Sequence, residues 1–156
     1  MLEFFSPRVS RLRTRRDVPG LIEVLQRGRP RARRAAANAL IEIPDPRAID
    51  PLLTALRDDD TLVRLNAALA LGEFQGRPEL PKIVEPLSGA LGDGSPLVRA
   101  MAASALARAK DPAAVPALIG ALDDADRGVS ATVEAVLPTF DDPRVEQALA
   151  SRRSSA

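Results

Sequence analysis

The chain has 156 residues, 46% of them hydrophobic and 28% charged, so it can bury a core and is not compositionally disordered. It contains no Cys, His, Trp or Tyr, which excludes a disulfide framework, a thiol nucleophile, a Cys/His zinc centre and an imidazole general base. The net charge of +1 hides an asymmetry: residues 1–34 hold ten Arg against Glu3, Asp17 and Glu23, and residues 35–156 hold twelve basic groups against eighteen acids.

Residues 1–16 read as a leading or capping helix, with Leu2, Phe5, Val9 and Leu12 along one stripe and Pro7 near its start. From there the chain repeats itself. Leu25, Leu56, Leu91 and Leu122 are separated by 31, 35 and 31 residues. The same spacing recurs in Ala32, Val63, Val98 and Val129, in Leu40, Leu71, Leu106 and Leu137, and in Ile43, Phe74, Ala109 and Phe140. Four units follow, over 17–43, 45–75, 77–109 and 111–140, and each reads as two helices. The first carries leucines at helical spacing, such as Leu52, Leu53 and Leu56. A short acidic turn follows, and its Asp or Ser is placed to cap the next helix. The second helix is Ala-rich, over Arg31 to Ile43, Leu62 to Phe74 and Leu97 to Ala109. Alanine is the best helix former and lets helices approach closely. Pro46, Pro112 and Pro143 each follow an Asp at a unit start, where the missing N–H costs nothing. The four extra residues of the longer step fall near Gly76–Pro81, a loop between units. A fifth unit begins at Asp142 and is expected to stop as a lone capping helix over 142–150, with 151–156 a disordered tail.

The expected fold is therefore all-α: an α-α superhelix of about four hairpins with terminal capping helices, the repeats forming one domain over 17–150. One hairpin cannot bury its apolar faces alone, and stacking neighbours builds the core.

Two stretches carry a family resemblance. Asp45-Pro46-Arg47-Ala48-Ile49-Asp50-Pro51-Leu52-Leu53 and Val63-Arg64-Leu65-Asn66-Ala67-Ala68-Leu69-Ala70-Leu71-Gly72 resemble a HEAT repeat of the short bacterial and archaeal type, also called phycobilisome-lyase HEAT-like. The resemblance implies a structural ladder between units, from an Asp in the turn and an Arg on the second helix. Its members here are Arg33, Arg64 and Arg99 with Asp58, Asp93 and Asp124, paired as Arg33–Asp58, Arg64–Asp93 and Arg99–Asp124. Arg27 stands where the first unit's Asp belongs and Ser130 where the fourth unit's Arg belongs, so the missing members are those that face open ends. Bilin lyases and a di-iron hydroxylase of a lysine-derived residue are related helical-repeat proteins. The hydroxylase type uses His-Glu pairs as metal ligands, and this chain has no His to carry that activity over.

No catalytic, metal or cofactor residue is assigned. Asp58-Asp59-Asp60 and Asp123, Asp124 and Asp126 lack EF-hand spacing and read as caps near helix N-termini. The arginines between 8 and 34 suit an anionic partner or end-to-end self-association, but no Trp or Tyr is present to stack on a base, which argues against nucleic acid. Phe4-Phe5 reads as part of a capping helix rather than a membrane anchor, and no apolar run is long enough to span a bilayer. A cytoplasmic protein is expected.

The partner surface is expected on the second helices, which in such arrays line the concave face. Opposite the buried stripe Val63, Ala67, Ala70 and Phe74 lie Leu65 and Leu69, equivalent to Arg34 and Asn38, to Ala100 and Ser104, and to Ala131 and Ala135 in the other units. This apolar row suits a helix or extended peptide of a protein partner, with Arg34 free to meet a carboxylate. The leading function is a non-catalytic interaction scaffold. The alternatives are a bilin-lyase-like accessory and electrostatic nucleic-acid binding through the first unit.

Overall fold

The computed structural model describes residues 7–76 and 80–155. Among them there are only helices and their connecting turns: α1 Pro7–Thr14, α2 Val18–Arg27, α3 Pro30–Ile41, α4 Ile49–Ala55, α5 Thr61–Leu71, α6 Leu80–Ala90, α7 Pro96–Ala109, α8 Val115–Gly120, α9 Arg127–Val136 and α10 Pro143–Ser155. Short 3-10 turns precede α4 and α8 and extend α5, α8 and α9.

The sequence register becomes the core. Leu25, Leu56, Leu91 and Leu122 are buried, as are Val63, Val98 and Val129, Leu40, Leu71, Leu106 and Leu137, and Ile43, Phe74, Ala109 and Phe140. Alanines fill the space between them. Ala36, Ala37, Ala67, Ala68, Ala102 and Ala103 are fully buried, which side chains this small allow when second helices pack closely.

The chain divides into two compact units, Met1–Phe74 and Gln75–Ala156. In the first, α2 packs on α3, α3 on α5, α4 on α5, and α1 on both α2 and α3. Val9 is the buried residue of α1 and Leu12 is half-buried; Leu2 and Phe5, expected on the same stripe, lie outside the described residues. Helix α1 ends in a Schellman-type turn. Arg16 takes a left-handed φ of 50°, its N–H donates to the Arg13 carbonyl at 2.9 Å, and the Asp17 N–H reaches back to Leu12 at 2.9 Å.

In the second unit, α6 packs on α7, α7 on α9, and α8 on α10. Two sequence expectations are corrected here. Leu80 and Pro81, expected in the inter-unit loop, already belong to α6. Residues 151–155, expected in a disordered tail, continue α10 to Ser155. The cause is tertiary: the Arg152 guanidinium donates to the Leu122 carbonyl and to Asp123 Oδ1 (2.6 Å), holding the last turn on the preceding unit. Ser151 and Ser154 also donate to carbonyls one turn back, at 3.0 and 3.1 Å.

Candidate functional site

The acidic turns are built as local devices. Asp60 accepts the Leu62 and Val63 N–H groups at 2.9 and 3.3 Å and so caps α5; Asp126 does the same for Gly128 and Val129 at 2.9 and 3.1 Å at the start of α9. Two residues before each capping position another Asp folds the turn: Asp58, Asp93 and Asp124 accept the N–H groups of Asp60, Ser95 and Asp126 at 2.8–2.9 Å. At the unit starts, Asp45, Asp111 and Asp142 accept from the residue after the following proline. Among the described residues no group of three or more acidic side chains converges to hold a metal ion.

Two arginines on second helices reach the turn of the next repeat. Arg33 Nε and Nη2 each donate to Asp58 at 2.8 Å, and Arg99 Nε and Nη2 donate to Asp124 at 2.7 and 2.8 Å. Both are two-pronged, matching a planar fork to two oxygens, and Arg33 and Asp58 are mostly shielded from solvent. The third nitrogen of each guanidinium secures its own turn: Arg33 donates to the Gly28 carbonyl at 3.1 Å and Arg99 to the Asp93 carbonyl at 2.9 Å. Arg64 donates to the carbonyls of Asp58 and Asp59 at 2.8 and 3.2 Å. Arg64 and Asp93 belong to different compact units. Ser130, in the arginine register, is buried and donates to the Arg127 carbonyl.

These contacts set the ionisation of the acids. The Arg99 hydrogen bond, with the Asp126 N–H, holds the Asp124 carboxyl below its ordinary range. Arg144 does the same to Asp142. Asp60 is also lowered, first by its hydrogen bond from Arg34 and then by the two capping N–H groups, against an opposing effect of burial.

That last contact corrects the reading of Arg34 as free to meet a partner's carboxylate. Its Nε lies 2.9 and 2.8 Å from the two Asp60 oxygens, and its Nη2 2.5 Å from Oδ2. The acid that caps α5 draws Arg34 inward, and Asn66, buried on α5, donates to the Arg34 backbone carbonyl at 3.2 Å. Neither contact was legible from spacing, because Asp60 already had a role as a cap and Asn66 sits inside an apolar run.

The remaining row residues fall as follows. Asn38, Leu65 and Leu69 on α3 and α5 are half-buried, as are Ala100 and Ser104 on α7; Ala131 and Ala135 on α9 are exposed. Ser104 donates to the Ala100 carbonyl at 3.1 Å. Among the described residues, the most exposed large apolar side chains lie elsewhere, at Leu62 (38%) and Leu97 (61%). They occupy one register position at the start of α5 and α7, next to the buried Val63 and Val98. A helical wheel centred on those valines carries the signal: the preceding residue is turned 100° away from the core.

With the hairpins and their turns in place, the similarity to known proteins is specific. The model of the HEAT repeats family matches residues 18–91 and 84–155. The chain belongs to the HEAT-repeat family. Its fold is a helical-repeat solenoid. Human deoxyhypusine hydroxylase, in a structure with glycerol, is 31% identical with a TM-score of 0.67, over 81% of this chain and 44% of that one. This chain thus spans less than half of that protein's length. A designed armadillo repeat protein shares the fold at 20% identity, with a TM-score of 0.62 over 90% of this chain and 74% of its own. No curated protein sequence matches the chain. Among the described residues, no helix is long and apolar enough to cross a membrane.

Proposed function

We propose that this HEAT-repeat chain, of the short phycobilisome-lyase-like type, is a non-catalytic cytoplasmic interaction module that presents its second helices to a protein or peptide partner. The observation that carries this reading is the state of Leu65 and Leu69. They are one turn apart on α5 and half open to solvent. Arg34, in the same register on α3, is already neutralised by Asp60. An apolar strip beside a satisfied polar group suits the apolar face of a helix or an extended segment.

HEAT repeats ordinarily serve protein interaction, which supports the same reading. The hydroxylase likeness points to a catalytic alternative. Against it, the chain has no His and no Cys, and its ladder and turn carboxylates hold helix caps and arginines.

The test is affinity capture from the native source with the wild-type chain, with Leu65→Glu/Leu69→Glu and with Leu97→Glu. The reading expects a defined protein retained by wild type and Leu97→Glu and lost by the double variant. Equal retention by all three overturns the assignment of the α5 row. Turnover of a small molecule by the purified chain overturns the non-catalytic reading.

A further inference from the structure

The last helix is built differently from its counterparts. Helix α10 starts in the register of α4 and α8, since Asp142-Pro143 repeats Asp45-Pro46 and Asp111-Pro112. In α4 and its turn, Ile49, Leu52 and Leu56 are buried; in α8 and its turn, Val115, Leu118 and Leu122 are. Helix α5 packs on α4, and α9 packs on the turn that follows α8. Counted from that Asp, the same positions in α10 are Glu146, Leu149 and Arg153; α10 lacks the 3-10 turn that precedes α4 and α8, so its covered stripe moves one residue earlier, to the buried Val145 and the half-buried Ala148 and Arg152, and leaves Glu146 and Arg153 exposed. Helix α9 repeats the pattern. Ala37 on α3 and Ala103 on α7 are fully buried in helices followed by α5 and α9, but the equivalent residue on α9 is the exposed Glu134.

Beside these positions lies an open groove of about 820 Å³. Pro138, Pro143, Leu149 and Ala150 give it open apolar surface over the buried Phe140 and Val145, and Asp141, Glu146 and Arg153 are among its charged lining. Asp142 is neutralised by Arg144 at 2.6 Å. With Asp142 paired, Asp141 and Glu146 still outnumber Arg153 in the lining. Such a face rejects an apolar helix, which would strand carboxylates in a dry contact, and accepts a cationic one.

The opposite end of the sequence has the complementary charge. Helix α1 has no acidic residue. Arg8 and Arg13 are paired with Glu23 and Glu42. Arg11, Arg15 and Arg16 are exposed, and among the described residues no carboxylate pairs with them.

We propose that the α9–α10 groove is a docking site for the arginine-bearing α1 edge of a second copy of this chain, giving head-to-tail association. The contact is heterologous, joining two different surfaces. It is electrostatic in selectivity and weakens with salt. It is independent of the α5 row.

Sedimentation of the full chain over a wide concentration range tests it. Wild type is expected to gain mass with concentration at low salt and to lose about tenfold or more in apparent affinity at high salt. Arg11→Glu/Arg15→Glu and Asp141→Lys/Glu146→Lys are each expected to remain monomeric, with unchanged helical circular dichroism. Mixing the two variants restores association, because one then offers an intact edge and the other an intact groove. Wild type that stays monomeric at every concentration overturns the proposal. So does either variant that associates like wild type, or a mixture that stays monomeric.

Discussion

Asp58 binds two fragments of chain at once. One oxygen holds the Asp60 N–H and so shapes the turn, and both oxygens hold Arg33 from the preceding repeat. Removing it leaves a shielded guanidinium without its carboxylate, held only by the Gly28 carbonyl, so Asp58→Ala is expected to cost about 2 kcal/mol, between the values for exposed and buried pairs. Urea unfolding measures this, and a double-mutant cycle with Arg33→Ala is expected to show positive coupling. A cost within error of zero would make the ladder ornamental. The acids also predict a pH limb. Asp60, Asp124 and Asp142 titrate below their ordinary range in the folded chain. Their stabilisation is therefore fully present above the unfolded carboxylate pKa of about 3.9 and is lost as pH falls through the lower folded values. Midpoints measured from neutral to strongly acidic pH are expected to hold until about pH 4 and then fall. Asp60→Asn is expected to flatten that fall. At this scale the partnership of Arg33 with Asp58 was implied by the family resemblance, whereas that of Arg34 with Asp60 was not. One residue further along the helix, the second arginine had no register rule to assign it.

Helices in this chain are short and depend on their ends. Helix α9 is started by Asp126, which satisfies two first-turn amides. Asp126→Ala is expected to lower stability by about 1 kcal/mol, read from thermal or urea melts. Helix α7 ends at Lys110 in a left-handed conformation, φ 52° and ψ 27°, with its N–H on the Leu106 carbonyl at 3.2 Å. A side chain is disfavoured there and glycine is not, so Lys110→Gly is expected to raise stability by about 0.5–1 kcal/mol. A loss instead would mean that the lysine side chain contributes more than the backbone costs. Caps and prolines were readable because they act within three or four residues. The length of α10 was not readable. Ser151, Arg152 and Arg153 look like a polar tail until Arg152 is seen on Leu122 and Asp123, thirty and twenty-nine residues earlier.

Across the molecule, stability comes from equivalent layers. Leu71 and Leu106 occupy one register position in different units and both are buried. Leu71→Ala and Leu106→Ala are each expected to cost about 2–5 kcal/mol, the range for emptying a packed leucine site. Leu65→Glu/Leu69→Glu places charge on half-open positions and is expected to cost far less stability while abolishing partner capture.

The amino-acid sequence by itself determined that the chain is a series of α-hairpins. The 3.6-residue pattern, the Asp and Pro start signals and the 31- and 35-residue repeat are local or strictly periodic, so they survive without knowledge of the fold. Tertiary structure alone decided which charges remain available. Arg34 is held by Asp60, Arg152 by Asp123, and among the described residues the exposed leucines are Leu62 and Leu97 rather than the row centred on Leu65. Exposure and pairing depend on what other segments bring alongside, and that information lies in the packing of one repeat on the next.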